Sequence, residues 1–306
     1  MIAAVTREGL GRSAREPRLA ITVWLVNLAL AAAAGVPSGL ALASVIGDRP
    51  EADVLADRLS LGVVADLVEM RPGLLEWLGL TALGVAFLGL LAGAAVAGGV
   101  LEVLVSRDER AFGHRFGRGA GRFFGRFLRA GLVAVTVGGT AALLAALPFL
   151  GVRRALRDSG WELGRPLLAI VAALAALLVF LLALLALDAA RILVVRDDRR
   201  RVGHALLEGA RLVLGHPATW LGVWAVNALG VGLALVAYLT VRGRVEATTG
   251  WLLGATLLLQ QAFVLARSAL RVSLLASEVA LVDRLRGPQA AAGHPEPLRA
   301  GPVAVV

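Results

Sequence analysis

Six charged side chains stand where the chain is otherwise most apolar: Glu102, Asp188, Arg191, Arg267, Arg271 and Glu278. Asp188 and Arg191 lie three residues apart, while Arg267, Arg271 and Glu278 are spaced by four and seven, so each set shares one face of a helix. Three carboxylates against three guanidiniums balance to zero. A charge deep in a bilayer costs about 3 kcal/mol on insertion scales, and such groups turn toward a bundle interior or toward water. The chemistry open to this set is therefore ionic: a polar network at the inner mouth of a helix bundle, acting as a gate or as a site for an anionic substrate or headgroup. The plainer reading is that these side chains snorkel to the interface or hold neighbouring helices together.

Covalent chemistry has no comparable basis. Cysteine is absent, which excludes disulfides, thiolate nucleophiles and cysteine-ligated metals. The histidines, His114, His204, His216 and His294, are too scattered for a metal site by spacing. No HExxH, no GxSxG and no phosphate-binding glycine loop occurs. "DAAR" at 188–191 faintly resembles part of the CDP-alcohol phosphotransferase signature, but the glycine and the later paired aspartates are missing and the activity is not carried over. The sequence predicts a non-enzymatic protein without cofactor or metal.

A second charged set lies in "RAFGHRFGRGAGRFFGRFLRAG" at 110–131. Read as a helix at about 100° per residue, it brings Arg115, Arg118, Arg122, Arg126 and Arg129 onto one narrow arc beside Phe112, Phe116, Phe123, Phe124 and Phe127. Basic residues interleaved with aromatics and glycine also occur in nucleic-acid binders. This stretch, however, runs directly into an apolar segment, so anionic headgroups are the nearest polyanion and no nucleic-acid partner is expected. Its glycines weaken an isolated helix by about 1 kcal/mol each, which binding to a membrane or close packing on a neighbouring unit would offset. The alternative role of the arginines is to set topology alone.

The elements that must position these residues are long and apolar. Of the 306 residues 58% are hydrophobic and mean hydropathy is +0.79, whereas an ordinary soluble domain is about 45–50% apolar. Six segments, 19–46, 77–105, 130–152, 166–195, 217–241 and 247–282, reach the roughly 20 residues that span a bilayer. Runs 78–101, 167–187 and 218–241 carry no charge at all. All 31 basic residues are arginine, and their distribution orients the chain. The termini with the second and fourth connections hold nineteen arginines and nine acids, the other three connections nine and ten. The positive-inside rule therefore predicts a multi-pass protein of the bacterial inner membrane with both termini cytoplasmic. Arginines followed by "ALAAAAGVPSGLALA" also fit a signal peptide, but the repeat described next marks this segment as a retained helix. Residues 53–70 place Leu55, Leu59, Val63 and Leu67 on one helical face, fitting a short helix on the outer leaflet or a lid.

The chain also matches itself. At an offset of 200, Glu8, Gly9, Pro17, Val23, Trp24, Val26 and Asn27 recur as Glu208, Gly209, Pro217, Val223, Trp224, Val226 and Asn227. At an offset of 90, Asp108, Gly113, His114, Gly119 and Gly125 recur as Asp198, Gly203, His204, Gly209 and Gly215. The implied third offset, 110, aligns Gly9 with Gly119 and Arg12 with Arg122. Three units follow, 7–105, 106–195 and 196–286, each a cytoplasmic segment, an outward helix, an outer loop and an inward helix. An even number of helices per unit gives all units one orientation, related by an axis along the membrane normal. The predicted fold is all-α and integral to the membrane: six transmembrane helices as three parallel helix-hairpin repeats with pseudo-threefold symmetry. It forms one domain over 1–286, with a disordered tail over 287–306.

Six spans, "DAARILVVRDDRRRVGHALLEGARLVLGHP" and a short tail resemble uncharacterised bacterial six-helix membrane proteins, including those akin to the membrane domain found with glycerophosphodiester phosphodiesterases. The resemblance implies a six-helix body and, without a phosphodiesterase domain, no activity. Mitochondrial carriers share the three-unit plan, but no PX[DE]XX[KR] motif is present. Two functions are consistent with the residues. One is an accessory or scaffold component that contacts anionic lipids and binds protein partners or further copies of itself; the other is a small transporter or channel using the polar cluster. Asn27, Asn227, Gln260 and Gln261 are expected as interhelical hydrogen bonds.

Overall fold

The computed structural model describes residues 1–46, 73–106, 110–155, 164–244 and 250–287. Segment 53–70 and the tail beyond 287 lie outside the described residues. Among the described residues every regular element is an α-helix: α1 (Ile2–Arg15), α2 (Pro17–Ile46), α3 (Leu74–Val105), α4 (Phe112–Ala155), α5 (Gly164–Arg196), α6 (Val202–Gly215), α7 (Pro217–Arg242) and α8 (Gly250–Arg286). Four of them, α2, α3, α5 and α7, are long and apolar enough to cross a membrane. The sequence predicts six spans, and α4 and α8 are not among these four.

Proline decides where helices stop. Pro17 opens α2 and Pro217 opens α7, and a proline disfavours helical geometry in the residue before it. Glu16 and His216 accordingly share one non-helical conformation, φ −126°, ψ 63° and φ −138°, ψ 51°. Each also closes the preceding helix with the same backbone bond, Glu16 N–H to the Ser13 carbonyl and His216 N–H to the Val213 carbonyl, both 3.2 Å. In the middle of the chain the corresponding position is Phe127 rather than proline, and α4 runs on unbroken for 44 residues, about 66 Å.

Packing is concentrated at one end of the bundle, the end that carries α1, the start of α4 and α6. The buried core gathers Leu19, Leu101, Phe123, Ile192, Trp220 and Leu281 there. Toward the opposite end the helices expose their apolar side chains, as at Leu40, Leu143, Leu174, Leu233 and Leu258. At the charged end each short or amphipathic segment lies across a long helix: α1 on α8, the start of α4 on α3, and α6 on α5. A glycine sits at each crossing. A Cβ on Gly9 would fall 2.7 Å from Ser277 Cα, one on Gly119 2.6 Å from the Gly98 carbonyl oxygen, and one on Gly209 2.7 Å from the Ala186 carbonyl oxygen. Only glycine permits backbones to approach so closely.

Candidate functional site

Where the packed end gives way to the splayed one, α2, α3, α5 and α8 surround a cavity of about 690 Å³. Its polar lining comes chiefly from two helices, Asp188 and Arg191 on α5 and Arg267, Ser268 and Arg271 on α8, with Asn27 from α2. Asp188, only 4% exposed, holds two guanidiniums at once. Its Oδ1 accepts from Arg191 Nη1 at 3.1 Å and its Oδ2 from Arg271 Nη2 at 2.8 Å. The Arg191 guanidinium also lies 5.7 Å from the centre of the Phe127 ring. Arg267, one turn before Arg271, faces the cavity with no ion-pair or hydrogen-bond partner among the described residues.

The six intramembrane charges singled out by sequence are not gathered into one network. Glu102, on α3, is bonded by Arg118 from the first half of α4 and does not line the cavity. Glu278 is buried on α8 beyond the cavity, and neither carboxylate oxygen has a hydrogen-bond partner among the described residues. With these two acids placed elsewhere, the cavity is lined by three arginines and one aspartate. A set that sums to zero along the sequence thus becomes locally positive in space.

The arginine face of α4 is engaged within the protein. Arg115 bonds Glu16 at 2.6 Å, and Arg122 and Arg126 share Asp198 at 2.6 and 2.9 Å; Arg129 is exposed. The phenylalanines turn inward, with Phe123 and Phe127 stacked at 5.9 Å and buried. Close packing on α3, where Phe116 lies against Gly99 and Phe123 against Gly98, receives part of the aromatic face and offsets the helix-weakening glycines. Asp198 occupies a left-handed conformation, φ 47°, in the joint between α5 and α6, a conformation aspartate tolerates better than most residues. Burial raises its carboxyl, but the Arg126 hydrogen bond and the Arg122 charge outweigh this and hold it below its ordinary value.

Other ion pairs close a circuit around this end. Glu8 of α1 accepts from Arg284 of α8 at 2.9 Å, and Arg12 reaches Asp283 at 3.4 Å. From α8, Arg286 bonds Asp197 at 2.9 Å and also Glu208 of α6. The joint carrying Asp197 and Asp198 then leads through Arg122 and Arg126 to α4, and Arg115 returns to Glu16 between α1 and α2. For Glu8, too, burial raises the carboxyl and is outweighed, here by Arg284 and Arg12, leaving it lowered.

No protein-family model, no curated protein and no solved structure matches this chain. What the arrangement can do is therefore read from its own groups. Among the described residues no three potential metal ligands from histidine, aspartate and glutamate lie together. The cavity can hold an anion against guanidiniums, and the ion-paired collar can fix helices relative to one another. Sequence reasoning missed the acids that pair the arginines, Glu8, Glu16, Asp197, Asp198, Glu208 and Asp283; the recurrence of Glu8 as Glu208 and of Asp108 as Asp198 among the repeated residues is a signal that could have pointed to three of them. Of the amides, Gln261 accepts from Trp24 Nε1 at 3.1 Å between α8 and α2, whereas Asn227 donates to Val223 of its own helix at 3.5 Å.

Proposed function

We propose that the protein is a non-enzymatic scaffold component of the bacterial inner membrane, crossing it six times as three parallel helix hairpins with both termini cytoplasmic. The observation that carries this reading is the closed circuit of ion pairs joining α1, α8, α6, α4 and the α1–α2 joint. A collar tied at so many points holds the three units in fixed relation and offers a rigid cytoplasmic platform. Support for the repeat comes from Gly9, Gly119 and Gly209, equivalent in the sequence register, each of which lets its segment rest on the inward helix of the preceding unit. Anionic lipids at the cytoplasmic face, contacted by exposed groups such as Arg129, and further protein copies or partners are the expected neighbours.

The cavity favours a second reading, a small transporter, in which the Asp188 cluster lines a path. Single cysteines at Asn27, Arg267 and Ser268, introduced into this naturally cysteine-free chain, separate the two. With the protein in membranes, the scaffold reading expects a water-soluble maleimide to label them from one side at most. Labelling of the same position from both sides would replace the scaffold with a transport pathway. Cysteines at Met1 and Gly287 are expected to label from the cytoplasm and one at Gly243 from the opposite side; any other pattern overturns the assigned topology.

A further inference from the structure

The cavity combines three features that together specify a ligand class. It has an excess of positive charge, since Arg191, Arg267 and Arg271 face a single carboxylate, Asp188. Counting an ionised Glu278 two turns along α8 still leaves the balance positive. It has a donor to spare: both oxygens of Asp188 are occupied by Arg191 and Arg271, and among the described residues the fork of Arg267 is uncommitted. And it is far larger than one ion, with walls that turn apolar beyond the arginines, at Leu30, Leu90, Ala94 and Val264.

We infer that this cavity is a binding site for a phosphate-class oxyanion, with Arg267 as its principal contact. The planar guanidinium presents paired N–H donors that match two oxygens of a phosphate. Asp188 acts as the positioning group: by holding Arg191 and Arg271 it keeps two further positive charges beside the bound anion without neutralising Arg267. The apolar walls suit an anion that carries hydrocarbon, as a membrane lipid does, and leave room for a free phosphate as well. Ser268 is not a competing donor, because its hydroxyl already donates to the Val264 carbonyl at 2.9 Å. Occupancy is a separate matter from transport: the site stands whether the bundle is static or moving, and the two-sided labelling experiment can fail without affecting it.

Native mass spectrometry of the full chain in detergent, titrated with phosphatidylglycerol and with phosphatidylcholine, whose phosphate is already neutralised by its own choline, tests the assignment, alongside thermal melting in inorganic phosphate. The expected result is that phosphatidylglycerol binds at least about tenfold more tightly than phosphatidylcholine and that Arg267→Gln removes about that factor, as loss of one charge-assisted contact would. Arg267→Lys retains charge without the fork and is expected to fall between. If inorganic phosphate instead raises the melting temperature, and Arg267→Gln abolishes the shift, the site takes the free anion. Among the described residues Arg267 has no protein partner to lose, so the Gln variant should melt within a few degrees of wild type, which separates lost binding from lost folding. Arg244→Gln, on an exposed arginine just after α7 that does not line the cavity, serves as the control. The inference is overturned if phosphatidylglycerol is not preferred and inorganic phosphate does not raise the melting temperature, if Arg267→Gln binds as wild type does, or if Arg244→Gln reproduces the loss.

Discussion

At the scale of single residues, what matters is which carboxylate each guanidinium finds. Asp188 is nearly buried and satisfies two arginines through separate oxygens, so it is the group whose removal leaves the most uncompensated charge. Breaking a buried ion pair from one side is strongly destabilising because the remaining partner stays desolvated and unpaired. We expect Asp188→Asn to destabilise the folded protein by about 3 kcal/mol in a denaturant titration in mixed micelles. Wild-type stability in that variant would mean that Arg191 and Arg271 are hydrated through the cavity and do not depend on the aspartate. The pairing was only half legible in sequence. Asp188 and Arg191, three apart, announce a local contact, but the bond from Arg271 joins residues 83 positions apart and is created only when α5 and α8 meet.

Helical elements follow a small number of local rules. Proline at 17 and 217 ends the preceding helix two residues earlier, and its absence at 127 lets α4 continue. Glycine has two different roles on the same helix, which a pair of substitutions can separate. Gly119 faces the α3 backbone, where a Cβ has no room, whereas a Cβ on Gly121 would meet nothing within 4 Å. Gly119→Ala is therefore expected to destabilise by about 1–3 kcal/mol through overpacking. Gly121→Ala should stabilise by about 0.4–1 kcal/mol, because it only restricts the unfolded chain. Thermal melting of the two purified variants checks both signs; a loss of stability in both would show that α4 tolerates no added bulk on either face. Sequence marked all these glycines as helix-weakening without distinguishing them, since the distinction lies in the neighbouring helix.

For the whole molecule, the collar makes acid the informative perturbation. The folded-state carboxyls of Glu8 and Asp198 both lie below their ordinary values, so the stability they contribute is complete above the unfolded pKa and is lost as pH falls through the folded one. The melting temperature in detergent is expected to hold nearly level from about pH 8 to 5 and to decline below about pH 4. In a Glu8→Gln, Asp198→Asn variant the neutral-pH value should be lower and the acid decline shallower. An equally steep decline in that variant would assign acid sensitivity to other carboxylates and remove the collar from the account.

The sequence by itself determined the solvent and the alphabet of elements. Long uncharged runs, proline positions and the arginine-rich amphipathic stretch are properties of neighbours along the chain, and local helix geometry expresses them directly. It also held the recurrence of Gly9, Gly119 and Gly209, but not what sets them apart from Gly113 and Gly125, which recur equally and face open space. Only the tertiary structure decided where the charges go. Electrostatic pairing acts over a few ångströms in space and is indifferent to chain separation, so the even balance of acids and arginines seen along the chain could not reveal that Glu102 turns to Arg118. Nor could it reveal that the acids of α1, α8 and the α5–α6 joint take up the collar arginines. That redistribution, made when the helices pack, is what leaves Arg267 facing a positively charged cavity.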